Sequence, residues 1–177
     1  MASAIPSRST AETGARFNTA KEKLTFERTR DLGLVRSILT HPGIWPYIGD
    51  DFAGEPQDFH PNEDERIWYV LAIRNCRIVG LFMFVPETAV CWAVHVVMER
   101  GIPPLFTHEA GREIIPWIWA HTDCRRLVAH VPATNRAALH FGLRVMGLRA
   151  YGRNKASFLK HGHLIDQVDM GISRPEN

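Results

Sequence analysis

The stretch AVCWAVHVVMERGIPPLFTHEAGREIIPWIWAHTDCRRLVAHVPATNRAALHFGLRVM, residues 89–146, is where the fold is decided. Its first ten residues, AVCWAVHVVM, form an apolar, β-branched run that predicts a strand. After the loop ERGIPP, Ala110, Ile114, Trp117 and Ile118 recur at helical spacing over residues 107–121, with Thr107 placed to cap the helix and Pro116 to kink it. RLVAHV, residues 126–131, reads as the next strand. Residues 135–146 put Ala138, Leu139, Gly142, Val145 and Met146 on one helical face, with Gly147 as the stop. This order of strand, loop, helix, strand and helix puts the loop where a phosphate-bearing cofactor would sit, because a helix N-terminus presents free amides and a favourable dipole to an anion.

Upstream, LTFERT (24–29) predicts a short strand. Asp31 then caps a helix whose apolar face is Leu34, Val35, Ile38 and Leu39. HPGIWPYIGDDFAGEP (41–56) is punctuated by Pro and Gly but carries Ile44, Trp45, Tyr47 and Ile48. It is too apolar for a plain linker and is expected to fold over the core with Asp50 and Asp51 at its edge. RIWYVLAIR (66–74) and RIVGLFMFV (77–85) form a hairpin through Asn75-Cys76, and Gly80 inside the second strand signals a bulge or a close approach. Downstream, residues 151–170 give two further strands around His161-Gly162-His163.

Composition narrows the function classes. A chain of 177 residues, 45% hydrophobic, has enough apolar material for one core. Residues 1–23, rich in Ala, Ser and Thr, predict a tail, either disordered or an arm that orders on a partner, with a single domain over residues 24–177. No apolar run reaches the roughly 18 residues of a membrane span, and no signal-peptide core opens the chain, so a cytoplasmic protein is expected. Cys76, Cys91 and Cys124 are widely spaced and give neither a CxxC pair nor a disulfide framework. Nine His without HExxH or a nearby Cys partner give no metal expectation.

Charge is uneven. Asp50, Asp51, Glu55, Asp58, Glu63, Asp64 and Glu65 crowd one segment, whereas residues 124–165 hold eight Lys/Arg and no acid. Two readings stand side by side: two solvated faces, or an anion site in the C-terminal half with an acidic mouth opposite. No aromatic–basic RNA signature or helix-turn-helix pattern accompanies the charge, which sets nucleic acid aside.

The element order and the segment VPATNRAALHFGLRVMGLRAYG, a strand followed by Asn-x-x-Ala and an amphipathic helix closing on Gly, resemble the GNAT superfamily of N-acetyltransferases. HPGIWPYIGDD and WIWAHTDCRRLVAHVPATNRAAL are similar to a branch often carried by bacteriophages. The resemblance covers about residues 24–172. It implies an α/β fold with a mostly antiparallel, twisted sheet of about seven strands flanked by helices, the fourth and fifth strands splayed. It also implies acetyl-CoA between those two strands, along the backbone at Val96 and Val97. Arg100 and Gly101 would stand for the phosphate loop, with Asn135 and Arg136 at the following helix. For Asn135 a helix N-cap is the competing reading.

The loop departs from the family's phosphate pattern. Pro103 and Pro104 fall where amides are wanted, and each removes a donor worth about 1.5–3 kcal/mol to a charged acceptor. Cofactor binding is therefore either rearranged or lost. Members of the family often use a Glu of the fourth strand as base and a Tyr of the last helix as acid. Here His95 is the titratable side chain in mid-strand, with a reference pKa of about 6.5, and its competing reading is a structural histidine. His140 is the nearest substitute for the Tyr. The helix is also one residue longer than the usual Asn-to-Gly spacing. Two functions remain open: transfer of an acetyl group to an amine held near Trp45, Asp50 and Asp51, or a degenerate fold serving as a virion or assembly component, in the host cytoplasm or virion, through contacts with other virion proteins.

Overall fold

The computed structural model describes residues 23–176; nearly all of the tail expected at residues 1–23 lies outside them. Among the described residues seven strands form one sheet in the order β1-β2-β3-β4-β5-β7-β6. These are β1 Leu24–Thr29, β2 Trp68–Arg74, β3 Arg77–Pro86, β4 Cys91–Met98, β5 Arg126–Pro132, β6 Arg149–Lys160 and β7 His163–Ser173. All neighbours are antiparallel except β4 and β5. The helices are α1 Leu32–Leu39, α2 Trp45–Ile48, α3 Pro104–His121 and α4 Arg136–His140. The expected α/β architecture, with a mostly antiparallel seven-strand sheet flanked by helices, is the one observed.

Strand alternation divides the core in two. On one face Val70, Phe82, Phe84, Val94 and Leu127 pack against Ala110, Ile114 and Ile118 of α3, and Leu139 and Phe141 adjoin them. Each of these isoleucines contributes about 1.5–3 kcal/mol by leaving water. On the other face Tyr69, Leu71, Leu81 and Val97 receive Val35 and Leu39 of α1 and Ile44. Asp31 caps α1 as expected, accepting from the Leu34 amide at 2.9 Å.

The turns of the β2–β3 and β6–β7 hairpins use left-handed pairs, Asn75-Cys76 and His161-Gly162, which match the twist of the strands they join. Gly80 meets both sequence expectations. The β2–β3 register shifts beside it, and a side chain there would lie 2.6 Å from Met98 Sδ and 3.0 Å from the Val97 carbonyl oxygen.

Two helical expectations need correction. Thr107 does not cap α3; the helix starts at Pro104 with Pro103 in the cap position, and the Thr107 hydroxyl donates back to the Pro104 carbonyl at 3.0 Å. Proline fits the first helical position because its missing N–H has no partner there. The helix runs on through Pro116, which lies on its exposed side. The second correction concerns residues 135–146. These are not one α-helix: α4 ends at His140 and a π turn follows over Phe141–Val145, closed by the Met146 amide on the Phe141 carbonyl at 2.9 Å. A π turn absorbs one inserted residue, which accounts for the extra residue between Asn135 and Gly147.

Candidate functional site

β4 and β5 pair at only three positions, Cys91 with Arg126, Trp92 with Leu127 and Ala93 with Val128. Past Ala93 and Val128 the strands part, and among the described residues the β4 backbone from Val94 to Met98 has no ladder on that side. Val96 and Val97 lie in this stretch, Val97 buried and Val96 half-buried. Parallel strands tied this briefly leave a wedge of unpaired backbone into which an extended, amide-bearing ligand can insert.

Alternation sets the side chains around the gap. Trp92 and Val94 belong to the α3 face, so His95 points to the opposite face, where α1 lies. Leu127 and Ala129 likewise face α3, which turns His130 the same way as His95. His130 pairs in register with Asp169 of β7, and its Nδ1 lies 2.7 Å from Asp169 Oδ1. Its Nε2 lies 3.4 Å from Glu87 Oε1, on the β3–β4 turn. Glu87 also accepts from the Cys91 thiol at 3.8 Å. Arg126 stacks over Tyr151 at 5.0 Å on the flank of this cluster.

The two histidines are tuned in opposite directions. The Asp169 hydrogen bond raises the pKa of His130, against some desolvation and with help from Glu87. His95 is pushed down, first by desolvation and then by the charge of His130, with Glu87 opposing. His95 is exposed on the surface of the sheet, and the protein atoms around it still disfavour its charged form. Cys91 is raised by burial and by Glu87, and the buried Cys124 is pushed up to about 11, so neither thiol is a ready nucleophile.

The remaining expected residues are dispersed. His140 is exposed on α4, on the α3 face, its ring 6.5 Å from that of His108, so the fold does not bring it to His95. Asn135 is the N-cap of α4, accepting from the Ala138 amide at 3.1 Å. Arg136 is exposed beside it. Gly101 is left-handed at φ +78°, and Arg100 leans over the Tyr47 ring at 5.2 Å. At the start of α3, Pro103 and Pro104 offer no N–H, and the Phe106 amide already donates to the Pro103 carbonyl at 2.9 Å. Trp45 meets Phe59 edge-on at 5.2 Å, and Asp50 accepts from the Phe52 amide at 3.1 Å. Both oxygens of Asp51 accept backbone amides of the β6–β7 turn, from His161 and Gly162, each at 2.8 Å.

Sequence reasoning missed Glu87, His130 and Asp169. Only the alternation of LVAHV in β5 could have flagged His130 as a polar side chain on an otherwise apolar strand. A hollow of about 520 Å³ between β1 and α3 lies at the far edge of the sheet and shares no residue with the cluster. Among the described residues no group of three or more His, Cys, Asp or Glu is arranged to hold a metal, and no helix is long and apolar enough to cross a membrane.

No family model and no curated protein matches the chain. Solved structures do match it in fold. The spermidine N-acetyltransferase of Vibrio cholerae, in complex with CoA and spermine, superposes with a TM-score of 0.68 at 15% identity, over 85% of this chain and 95% of that one. The ribosomal-protein-alanine N-acetyltransferase of Brucella melitensis gives 0.61 at 15% identity, over 85% and 99%. At these identities the likeness is one of fold, and the fold is that of the GNAT acetyltransferases.

Proposed function

We propose that this chain is an acetyl-CoA-dependent N-acetyltransferase that moves the acetyl group to a primary amine by direct attack. The observation that carries the reading is the parting of β4 and β5 after three residue pairs, with His95 and His130 on one face of the gap. The shared fold supports it, since the Vibrio cholerae neighbour holds CoA and spermine.

Fit to the cofactor divides along the site. The unladdered backbone at Val96 and Val97 suits an extended pantetheine arm, whereas α3 gives a pyrophosphate few amides. Gly101, Ile102 and Leu105 keep N–H groups there, and Arg100 and Arg136 supply positive charge nearby. When bound, acetyl-CoA supplies an activated thioester carbonyl. The chain's own residues orient the reactants, and a positioned amine needs no covalent enzyme intermediate, so proximity does much of the work. Because its pKa is held low, His95 is neutral at pH 7 and able to accept a proton. Trp45 and Asp50 stand on the acceptor side; Asp51 acts there by fixing the loop to the hairpin.

A second reading is favoured by one observation, the pair Pro103 and Pro104 at the phosphate end. It is a catalytically degenerate fold of the bacteriophage-like branch, acting as a virion or assembly component, with residues 1–23 as a docking arm on the single domain 24–177. Calorimetric titration with acetyl-CoA separates the two. Micromolar binding followed by acetylation of a simple amine is the expected result; no binding at millimolar cofactor overturns the enzyme reading.

A further inference from the structure

We propose that His130, held between Asp169 and Glu87, is the proton donor to the departing thiolate, and that His95 across the gap is the proton acceptor for the attacking amine. This rests on the acetyltransferase reading and gives it an acid and a base.

The geometry is specific. Asp169 Oδ1 at 2.7 Å fixes the proton of Nδ1 and the plane of the ring. Nε2 is then directed at Glu87 Oε1, 3.4 Å away. A neutral ring donating through Nδ1 would turn a lone pair toward that carboxylate, which is repulsive. A protonated ring offers N–H groups to both carboxylates, so the two acids select the imidazolium. Among the described residues no carboxylate is hydrogen-bonded to His95, and the positive His130 nearby discourages a second charge. Two like groups whose surroundings push them apart make an acid–base pair. The other groups facing the pair are Cys91 of β4, Arg126 of β5 and Tyr151 of β6. Arg126 lies against Cys91 and Tyr151 on the flank of the pair.

The step balances with acetyl-CoA and an amine as the reactants. The amine nitrogen forms the new C–N bond at the acetyl carbonyl as the C–S bond breaks, and its proton passes to His95. The sulfur takes the Nε2 proton of His130, displacing the 3.4 Å contact with Glu87 while Nδ1 stays on Asp169, which gives the free thiol and a neutral ring; both histidines return to their resting states by exchange with solvent. Asp169 and Glu87 are positioning residues, since they act only through His130.

The test begins without turnover. Ring-proton NMR titration of the whole chain, with His95→Gln and His130→Gln used to assign the signals, is expected to show His130 titrating above and His95 below the ordinary value of about 6.5. Asp169→Asn should bring His130 down; coincident titrations, or no response to Asp169→Asn, overturn the proposal. Thiol release from acetyl-CoA with butylamine and spermidine as acceptors is then followed against pH. A bell is expected, from which His95→Gln removes the acidic limb and His130→Gln the alkaline limb, each lowering the maximal rate about 100-fold or more. Asp169→Asn should move the alkaline limb to lower pH. Acetyl-CoA binding with limbs that these variants leave in place overturns the acid–base assignment alone; absence of binding in calorimetry overturns the acetyltransferase reading and this assignment with it.

Discussion

At Asp51 both carboxylate oxygens are occupied by the His161 and Gly162 amides, and the Asp51 amide itself donates to the Leu159 carbonyl at 3.0 Å. This residue pins the segment between α1 and β2 to the β6–β7 hairpin, and those same hydrogen bonds hold its pKa below the ordinary carboxylate range. Asp51→Ala should therefore speed hydrogen exchange at the His161 and Gly162 amides while leaving α3 amides unchanged; equal protection in variant and wild type would show that the turn holds itself. His130 carries a pH signature of its own. Its folded pKa is raised, so its contribution to stability is full below the unfolded value of about 6.5 and is lost as pH rises through the folded value. The gap in thermal midpoint between wild type and Asp169→Asn should be widest below about pH 6.5 and narrow as pH increases. A gap independent of pH would mean that Asp169 stabilises without reference to the charge of His130.

Among the elements, the start of α3 decides how an anion is met. Its dipole and its uncommitted amides favour a phosphate, but Pro103 and Pro104 remove two donors and the first turn takes up the Phe106 amide. Pro104→Ala returns one N–H at the first helical position. If a pyrophosphate docks there, the added charge-assisted bond of about 1.5 kcal/mol should tighten acetyl-CoA binding about tenfold in calorimetry. An unchanged Kd would place the phosphates away from α3. The π turn after α4 is the other element with a positional consequence. By taking up the extra residue over Phe141–Val145, it lets Asn135 keep its cap while Val145, Met146 and Leu148 stay buried.

For the whole molecule, the sheet is the partition between a helical face bearing α3 and α4 and the opposite face bearing α1 and the histidine pair. Phe82 lies at the middle of the α3 face with no exposed surface, edge-on to Phe26 at 6.2 Å. Phe82→Ala should cost about 3–5 kcal/mol in chemical denaturation, because a packed sheet cannot close over so large a void. A loss below about 1 kcal/mol would mean that the two faces are more loosely coupled than the packing indicates.

What the sequence determined by itself is most of what near neighbours govern, the start of α3 and the π turn excepted. The strands follow from β-branched runs, the caps at Asp31 and Asn135 from side chains that reach amides three residues on, and the hairpins from Asn75-Cys76 and His161-Gly162. The splay of β4 and β5 came from the family likeness of the Asn135 segment. Tertiary structure alone decided the chemistry at the gap. His130 meets Asp169 across 39 residues and Glu87 across 43, contacts set by sheet register and strand order. Register is a property of strand pairs, and no local spacing encodes it. For the same reason Asp51, which reads in sequence as an acid at a mouth, is a clamp on a turn 110 residues away.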